Sequence, residues 1–141
     1  MSFVPKRCVF VPIDFSEASF EALRVAREVV SEQADLHVVH VLPVLNPGDP
    51  GVVWEAWKEG DRIQDAKEHL VERLKSEFPG VQVEVAVGDA AREIAERAAR
   101  AGADLIVMPS HGRKGVERFF IGSVAERVLR YARCPVLILR G

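Results

Sequence analysis

A glycine-bearing, basic segment near residue 110 contains the residue types that bind phosphate. It runs from Met108 to Gly115 (MPSHGRKG), and Gly122-Ser123 follow at the expected start of a helix. Glycines let backbone N–H groups approach an anion, and a helix amino terminus adds unpaired N–H donors with a partial positive charge. The Ser123 hydroxyl can donate to a phosphate oxygen or cap its own helix. The segment predicts a phosphate cradle, and a surface loop closed by a capped helix is the alternative.

An aspartate earlier in the chain supplies the second half of such a site. Asp14 follows the apolar segment Cys8–Ile13 (CVFVPI). Its carboxylate can accept hydrogen bonds from the two hydroxyls of a ribose, or it can cap the helix that follows. Because Ser16 is also available as a cap, the sequence favours a ligand role for Asp14.

Five short apolar segments alternate with helical ones along the chain. Four of them are nearly continuous runs of Val, Ile and Leu, which is typical of parallel strands covered by helices on both faces. The third alternates apolar and polar residues and is expected at an edge of the sheet. The predicted strands are Cys8–Ile13, Leu36–Leu42, Val81–Val87, Asp104–Met108 and Val136–Leu139.

The helices are predicted from apolar residues at helical spacing and from capping residues. Asp89 is expected to cap the third helix and Gly102 to end it. In the fourth helix, Val124, Val128 and Tyr131 are expected to face inward. The predicted helices are Ser16–Val30, Val52–Phe78, Ala91–Ala101 and Ser123–Ala132.

The order of the strands decides whether Asp14 and the glycine-bearing segment can share one ligand. Alternating strands and helices predict an open parallel sheet with right-handed crossovers, in which ligands bind outside the carboxyl ends of the strands. In the order 3-2-1-4-5, strands one and four are neighbours, so their loops meet in one crevice. In the order 2-1-3-4-5, another strand separates them and no common site forms.

Nearly the whole chain resembles the universal stress protein family. The resemblance rests on VPIDFSEAS after strand one, HVL after strand two, GDAAREI before helix three, and DLIVMPSHGRKGVERFFIGSVAERVLRYARCPVLILR at the end. Nucleotide-binding members carry a glycine, two residues, a second glycine, nine residues, then glycine and Ser or Thr. Here Gly112 is the second glycine, the nine residues Arg113–Ile121 follow, and Gly122-Ser123 end the motif. Pro109 replaces the first glycine, so one backbone N–H that could contact a nucleotide is absent.

The resemblance implies the strand order 3-2-1-4-5 and therefore a single crevice. The expected fold class is α/β. Residues 1–141 would form one domain, an open parallel five-stranded sheet with two helices on each face. Such a fold is Rossmann-like and similar to that of the adenine nucleotide alpha hydrolases.

The resemblance also implies roles for single residues. Asp14 would bind the ribose or the adenine, and the Val41 backbone would hydrogen-bond the adenine edge. The phosphate and ribose side would be lined by Met108, Gly112, Gly122, Ser123 and Val124. The same loops add Pro12, Pro109 and His111 to the expected nucleotide-binding set, with Arg113 and Lys114 as candidate phosphate contacts.

The expected ligand is ATP or a related nucleotide, AMP or ADP, with Mg²⁺ carried by the phosphates. Hydrolysis requires a positioned base and, typically, carboxylates that hold Mg²⁺. The sequence has no GxxxxGK[ST] motif, and neither a catalytic residue nor a protein metal site is assigned. The favoured function is therefore a nucleotide-binding regulatory module of a stress response. A slow ATP hydrolase and a dimeric interaction protein that does not bind nucleotide are the alternatives.

Composition and charge argue against several other classes of protein. The 141 residues carry a formal net charge of −2, so no bulk attraction to nucleic acid or to anionic membranes is expected. No apolar run approaches the roughly 18 residues of a membrane span. Cys8 and Cys134 are too few for a disulfide framework, and the strand order places them too far apart to pair. A cytoplasmic protein with reduced thiols is expected, acting with an adenine nucleotide and an unidentified regulatory partner protein.

Strand five has no helix after it and is expected to leave one edge of the sheet open. Between Pro135 and Arg140 every residue is apolar, and an exposed apolar edge pairs readily with another chain. A homodimer joined through Pro135–Arg140 is therefore expected, as the resemblance also implies.

Two tryptophans and two histidines complete the set of candidate side chains. Trp54 and Trp57 are expected either to cover a base as a lid or to pack with the second helix. His37 and His40 lie three residues apart on one strand, so they are expected on opposite faces of the sheet.

Overall fold

The computed structural model describes residues 3–32, 35–45, 59–111 and 121–140. Its five strands are parallel and lie in the order β3-β2-β1-β4-β5, which confirms the sheet expected from the sequence. Trp54 and Trp57 lie outside the described residues, as does the predicted first part of the second helix. Strands and helices alternate in the order β1 (Val9–Pro12), α1 (Glu17–Val29), β2 (Leu36–Leu42), α2 (Glu59–Leu74), β3 (Gln82–Val87), α3 (Ala90–Ala101), β4 (Leu105–Pro109), α4 (Ser123–Tyr131) and β5 (Val136–Leu139).

Local capping signals set the helix ends close to where the sequence predicts them. Ser16 is the N-cap of α1, and its Oγ accepts a hydrogen bond from the Ser19 N–H at 3.1 Å. Asp89 caps α3 in the same way, accepting from the Arg92 N–H at 3.1 Å. Gly102 ends α3 with φ of 73°, a left-handed conformation that glycine adopts without a steric penalty.

Two helices cover each face of the sheet, as expected. The odd-numbered residues Val9, Val11 and Ile13 point to the face covered by α1 and α2, whereas Phe10 points to the face covered by α3 and α4. Burying a large apolar side chain in such a layer contributes about 1.5–3 kcal/mol. The buried helical residues include Phe20, Leu23, Leu70 and Leu74 on the first face, and Ile94, Ala98, Ala125 and Val128 on the second.

The orientation of α4 differs from the prediction at one residue. Val128 is fully buried and Tyr131 is half-buried, as expected, but Val124 is 37 % exposed. Ala125 takes the inward position, because it lies three residues before Val128 on the helix face toward the sheet. The inward orientation predicted for Val124 is therefore wrong.

Asp104 ties together the amino-terminal ends of β1 and β4. Its two carboxylate oxygens accept hydrogen bonds from the backbone N–H groups of Arg7 and Cys8, both at 3.0 Å. Burial opposes ionisation of Asp104, but these hydrogen bonds to the charged form outweigh it and lower the pKa. The carboxylate therefore stabilises the fold in its ionised state.

Replacing Asp104 with alanine is expected to lower the free energy of unfolding at neutral pH by about 1–2 kcal/mol, because two backbone donors lose a charged acceptor. The folded-state pKa of Asp104 lies below the unfolded value of about 3.9, so the stabilisation is fully present above that value. It is lost as the pH falls through the folded-state pKa. Urea unfolding of wild type and variant at pH 7 and pH 3 measures the difference, with Asp65→Ala on the exposed side of α2 as control. An equal difference at both pH values would contradict the assignment.

Cys8 and Cys134 are free thiols, as expected. Burial raises the pKa of both, and the Asp104 carboxylate raises it further. Both thiols are therefore protonated, unreactive groups near neutral pH.

Candidate functional site

The connections that follow β1 and β4 leave the sheet on opposite faces. From β1 the chain continues into α1 on one face, whereas from β4 it leads to α4 on the other face. β1 and β4 are neighbours in the sheet. The carboxyl ends of two neighbouring strands whose connections leave to opposite faces bound a crevice, the usual ligand site of an open parallel sheet.

The hydrogen-bonded ladder between the two strands ends before that edge. The β1–β4 ladder ends at the pair Phe10 and Ile106. β1 nevertheless stays paired with β2 through Pro12, and β4 stays paired with β5 through Pro109. Of these three strand pairs, only β1 and β4 are therefore unpaired at that edge.

A proline on each strand explains why the ladder ends. Ile13 donates its N–H to β2. The backbone nitrogen and carbonyl of the preceding residue, Pro12, therefore face β4, because these groups alternate in direction along a strand. Ser110 donates its N–H to β5, so the backbone nitrogen and carbonyl of Pro109 face β1. The next N–H groups needed to continue the ladder belong to these prolines, which have none. The proline at position 109 therefore removes no hydrogen bond between β4 and β5, and its ring lies at the crevice.

On the β1 side of the crevice, Asp14 organises the turn into α1. Its Oδ1 accepts hydrogen bonds from the Ser16 N–H at 3.0 Å and from the Ser16 hydroxyl. Ser16 in turn caps α1. Ser16, and not Asp14, therefore caps α1, and Asp14 holds Ser16 in position.

The turn that carries Asp14 is strained and supported from β2. Phe15 has φ of 65°, an uncommon conformation for a bulky residue that costs of order 1–3 kcal/mol. Its ring packs against His40 at a centroid distance of 4.9 Å and against His69 at 5.0 Å. The Nδ1 of His40 lies 2.6 Å from the carbonyl oxygen of Ile13, a hydrogen bond that fixes the last residue before Asp14. The strain persists because neighbouring elements hold both sides of the turn.

Sequence reasoning missed the role of His40 and Phe15 in this site. It placed His37 and His40 on opposite faces, and the structure confirms this, since His37 stacks on Phe10 of the other face at 6.3 Å. The signal that could have found the role is position, because the end of β2 must lie beside the end of β1 in this strand order.

On the β4 side, Gly122 lies directly against the backbone of the preceding loop. Its N–H donates to the carbonyl oxygen of Ser110 at 2.7 Å. A Cβ built on Gly122 would lie 2.7 Å from that oxygen and 3.4 Å from Nδ1 of His111, so no larger residue fits without displacing the backbone. Gly122 is also the N-cap of α4 and makes no side-chain capping bond. Ser123, the first helical residue, is exposed and does not cap the helix.

The side chain of His111 contains a buried polar atom without a partner in the described part of the chain. Its Nε2 is inaccessible to solvent and makes no hydrogen bond there. A buried polar group usually has a partner, so this nitrogen is a candidate contact for a bound ligand. His111 sits beside Gly122 at the amino end of α4, where backbone donors already favour an anion.

The remaining predicted site residues are distributed as follows. Met108 is buried in the core under α3 and α4, so its side chain supports the loop from below. Val41 is half-buried near the end of β2, and Val124 is exposed in the first turn of α4. Gly112, Arg113 and Lys114 lie outside the described residues.

Two kinds of feature are absent from the residues that the structure describes. Among residues 3–32, 35–45, 59–111 and 121–140, no group of three or more His, Cys, Asp or Glu side chains could hold a metal ion. Within the same ranges, no helix combines the length and the apolar character that crossing a bilayer would require.

Comparison with known proteins gives consistent matches over the whole fold. Residues 7–140 match the universal stress protein family. Universal stress protein MJ0531 of Methanocaldococcus jannaschii is 36 % identical over 140 residues, which cover 94 % of this chain and 81 % of the relative. The solved structure of hypothetical protein MJ0577 superimposes with a TM-score of 0.76 at 27 % identity, covering 96 % of both chains.

Two other structures of the same fold were solved with adenine nucleotides. A universal stress protein in complex with cAMP has a TM-score of 0.63 at 21 % identity and covers 96 % of this chain and 97 % of its own. The universal stress protein of Archaeoglobus fulgidus in complex with dAMP has a TM-score of 0.58 at 23 % identity, covering 98 % of both chains. At these identities the likeness establishes the shared fold.

Proposed function

Because this chain belongs to the universal stress protein family, we propose that the crevice between β1 and β4 binds an adenine nucleotide, ATP or its relatives AMP and ADP. The observation that carries the proposal is the early end of the β1–β4 ladder. Pro12 and Pro109 keep the ends of these neighbouring strands unpaired at the switch point, with Asp14 on one side and Gly122 on the other. The cAMP and dAMP complexes of two proteins with this fold support the same ligand class.

Each side of the crevice suits one portion of a nucleotide. The Asp14 carboxylate accepts hydrogen bonds from ribose hydroxyls, and the Val41 backbone at the end of β2 offers hydrogen bonds to the adenine edge. The rings of Pro12 and Pro109 flank the sugar. The phosphates lie toward the amino terminus of α4, where backbone N–H groups, the Ser123 hydroxyl and the orphaned Nε2 of His111 are donors. Gly112, Arg113 and Lys114 complete this end in the proposal.

Mg²⁺, in this proposal, arrives with the phosphates and is not held by a protein cage. The described residues contain no metal-binding cluster, and the proposal assigns the Asp14 carboxylate to the ribose. Mg²⁺ commonly binds through substrate phosphates and water with few protein ligands. The same shortage of carboxylates favours binding over turnover, so we place the chain among regulatory modules of the stress response acting in the cytoplasm, with hydrolysis slow or absent.

Isothermal titration of the purified protein with ATP, AMP and cyclic AMP tests the proposal directly. We expect saturable one-site binding of at least one of the three, and no binding of GTP at the same concentration. Multiple turnovers of ATP that scale with protein concentration would move the assignment to a hydrolase. Absence of binding by all three nucleotides, with and without Mg²⁺, would favour an interaction protein that does not use nucleotide.

We also propose that the protein is a homodimer joined along β5. This strand forms one edge of the sheet, and Leu137 at its centre is 37 % exposed. Leu129 on the adjacent helix α4 is 43 % exposed. Exposed apolar side chains beside an unpaired strand edge are the features of a pairing surface.

Leu137→Lys is expected to convert the protein to a monomer, because a charged side chain at the centre of the strand opposes burial against a second copy. Sedimentation velocity at micromolar concentration measures the change. The matched control is Val71→Lys on α2, which places the same charge at an apolar residue that is 44 % exposed. A monomeric wild-type protein, or a dimer that survives Leu137→Lys, would contradict the proposed interface.

A further inference from the structure

A basic groove runs between α3 and α4 on the outer side of the sheet. Its volume is about 840 Å³. Ala95 and Ala99 form its floor, so the space between the helices is left unfilled by side chains. Its rim carries four arginines against a single glutamate, and they are Arg92, Arg100, Arg130, Arg133 and Glu96.

Three of these arginines, Arg92, Arg100 and Arg133, make no ion pair within the part of the chain that the structure describes. Arg100 at the end of α3 and Arg133 after α4 are exposed. Arg130, by contrast, pairs with Glu126 on its own helix at 3.1 Å. Arginine recognises carboxylates through a planar fork of donors, so uncommitted guanidinium groups on a groove favour an anionic occupant.

The aromatic ring of Tyr131 lies beside the arginines. Tyr131 is half-buried, and the Arg92 guanidinium lies 5.1 Å from the centre of its ring. Arg127 approaches the same ring at 5.7 Å while both of its terminal nitrogens donate to Asp89. The Tyr131 ring is therefore held in position by contacts within the chain, and this side of the groove does not need to be ordered by a ligand.

Charge is divided unequally between the two faces of the molecule. α1 and α2 together carry eight acidic and five basic residues. α3 and α4 carry five basic and three acidic residues. An anionic partner is thus attracted to one layer and repelled by the other, although the chain as a whole is weakly acidic.

We propose that this α3–α4 groove binds a short acidic peptide segment of a partner protein. The nine residues of α4 span about 13 Å, which accommodates roughly four residues of an extended peptide. Glutamate and aspartate side chains pair with Arg100 and Arg133, while the apolar floor and Tyr131 contact the peptide backbone and its intervening side chains. A nucleic acid is a poorer fit, because so short a groove meets few phosphates and the chain as a whole is weakly acidic.

The groove is distinct from the crevice between β1 and β4. α3 and α4 begin at the carboxyl edge of the sheet, and Arg100 and Arg133 lie where they end, at the opposite edge. Substitutions at these two residues therefore leave the proposed nucleotide site untouched, and the proposal does not depend on nucleotide binding.

Fluorescence anisotropy with a fluorescein-labelled hexaglutamate peptide at low ionic strength tests the proposal. We expect wild-type protein to bind this peptide and not labelled hexaglutamine, and the double variant Arg100→Glu/Arg133→Glu to bind at least about tenfold more weakly. The matched control is Lys67→Glu/Lys75→Glu, which makes the same change in net charge at exposed residues on and just after α2, on the other face of the sheet, and is expected to keep wild-type affinity. Unfolding temperatures check the fold, and Arg100→Gln/Arg133→Gln carries the same test if charge reversal destabilises the protein.

Several results would overturn the proposal. Equal weakening by both double variants would reduce the effect to net charge, and equal binding of hexaglutamine would remove the role of the carboxylates. Tighter binding of labelled twelve-residue oligo-dT, lost with the same arginines, would assign the groove to nucleic acid. Assemblies of wild-type protein larger than a dimer that vanish in the groove variant would identify a second copy as the occupant.

Discussion

Replacing Gly122 with alanine is expected to reduce the affinity for adenine nucleotide at least about 30-fold, or about 2 kcal/mol of binding free energy. The added Cβ would meet the carbonyl oxygen of Ser110 at 2.7 Å. That oxygen belongs to the backbone and cannot rotate away, so the loop after β4 and the start of α4 must move apart. This movement displaces the N–H donors and His111 from the proposed phosphate position. Titration calorimetry of wild type and variant measures the effect.

The same substitution is expected to lower the free energy of unfolding by about 1–3 kcal/mol, as is usual for overpacking. Gly60→Ala in α2 is the matched control, because nothing lies within 4 Å of a Cβ at that position. This control is expected to keep the affinity and to gain about 0.5–1 kcal/mol of stability, since alanine is the better helix former. Wild-type affinity in Gly122→Ala would show that the turn between Ser110 and α4 does not belong to the nucleotide site.

Replacing Asp14 with asparagine is expected to weaken nucleotide binding at least about tenfold while leaving stability nearly unchanged. The asparagine Oδ1 can still accept hydrogen bonds from Ser16, so the turn into α1 keeps its geometry. The charged acceptor for the ribose hydroxyls is lost, and hydrogen bonds to charged groups are worth about 1.5–3 kcal/mol. Calorimetry gives the affinity, and thermal unfolding gives the stability.

Ser16→Ala separates the structural role of this turn from its role toward a ligand. It removes the N-cap of α1 and is expected to lower stability by about 1 kcal/mol, while the Asp14 carboxylate remains. Affinity is expected to change much less than in Asp14→Asn. The opposite pattern, with affinity lost in Ser16→Ala and kept in Asp14→Asn, would make Asp14 a purely structural residue.

Features that depend on neighbouring residues in the chain could be predicted from the sequence. The caps Ser16 and Asp89 and the terminator Gly102 act within one helical turn, and all three are where local chemistry places them. The strand order needed more, because local patterns left two arrangements open and only the family resemblance chose between them. Once that order is known, the approach of the loops after β1 and β4 follows from topology alone.

Features that depend on how separate elements pack could not be predicted. The support of Phe15 by His40 and His69 joins three segments of the chain, and no spacing within one segment reveals it. The exposure of Val124 could not be predicted, because helical periodicity fixes which residues share a face but not which face turns toward the sheet.

The replacement at Pro109 shows the same limit. The sequence reveals the loss of an N–H donor, but its structural effect depends on the side of β4 to which residue 109 points. Only the hydrogen-bond pattern shows that the missing N–H of Pro109 would face β1, so that its loss helps to end the β1–β4 ladder and breaks no bond with β5.

The division between β1 and β4 has a kinetic consequence. The prolines leave β1 and β4 without backbone hydrogen bonds beyond Phe10 and Ile106, so no interstrand hydrogen bond has to break there when a small molecule binds. Association there should be a single bimolecular step, with an observed rate that rises in proportion to ligand concentration and reaches no plateau. Differences in residence time among ligands would then arise from dissociation alone.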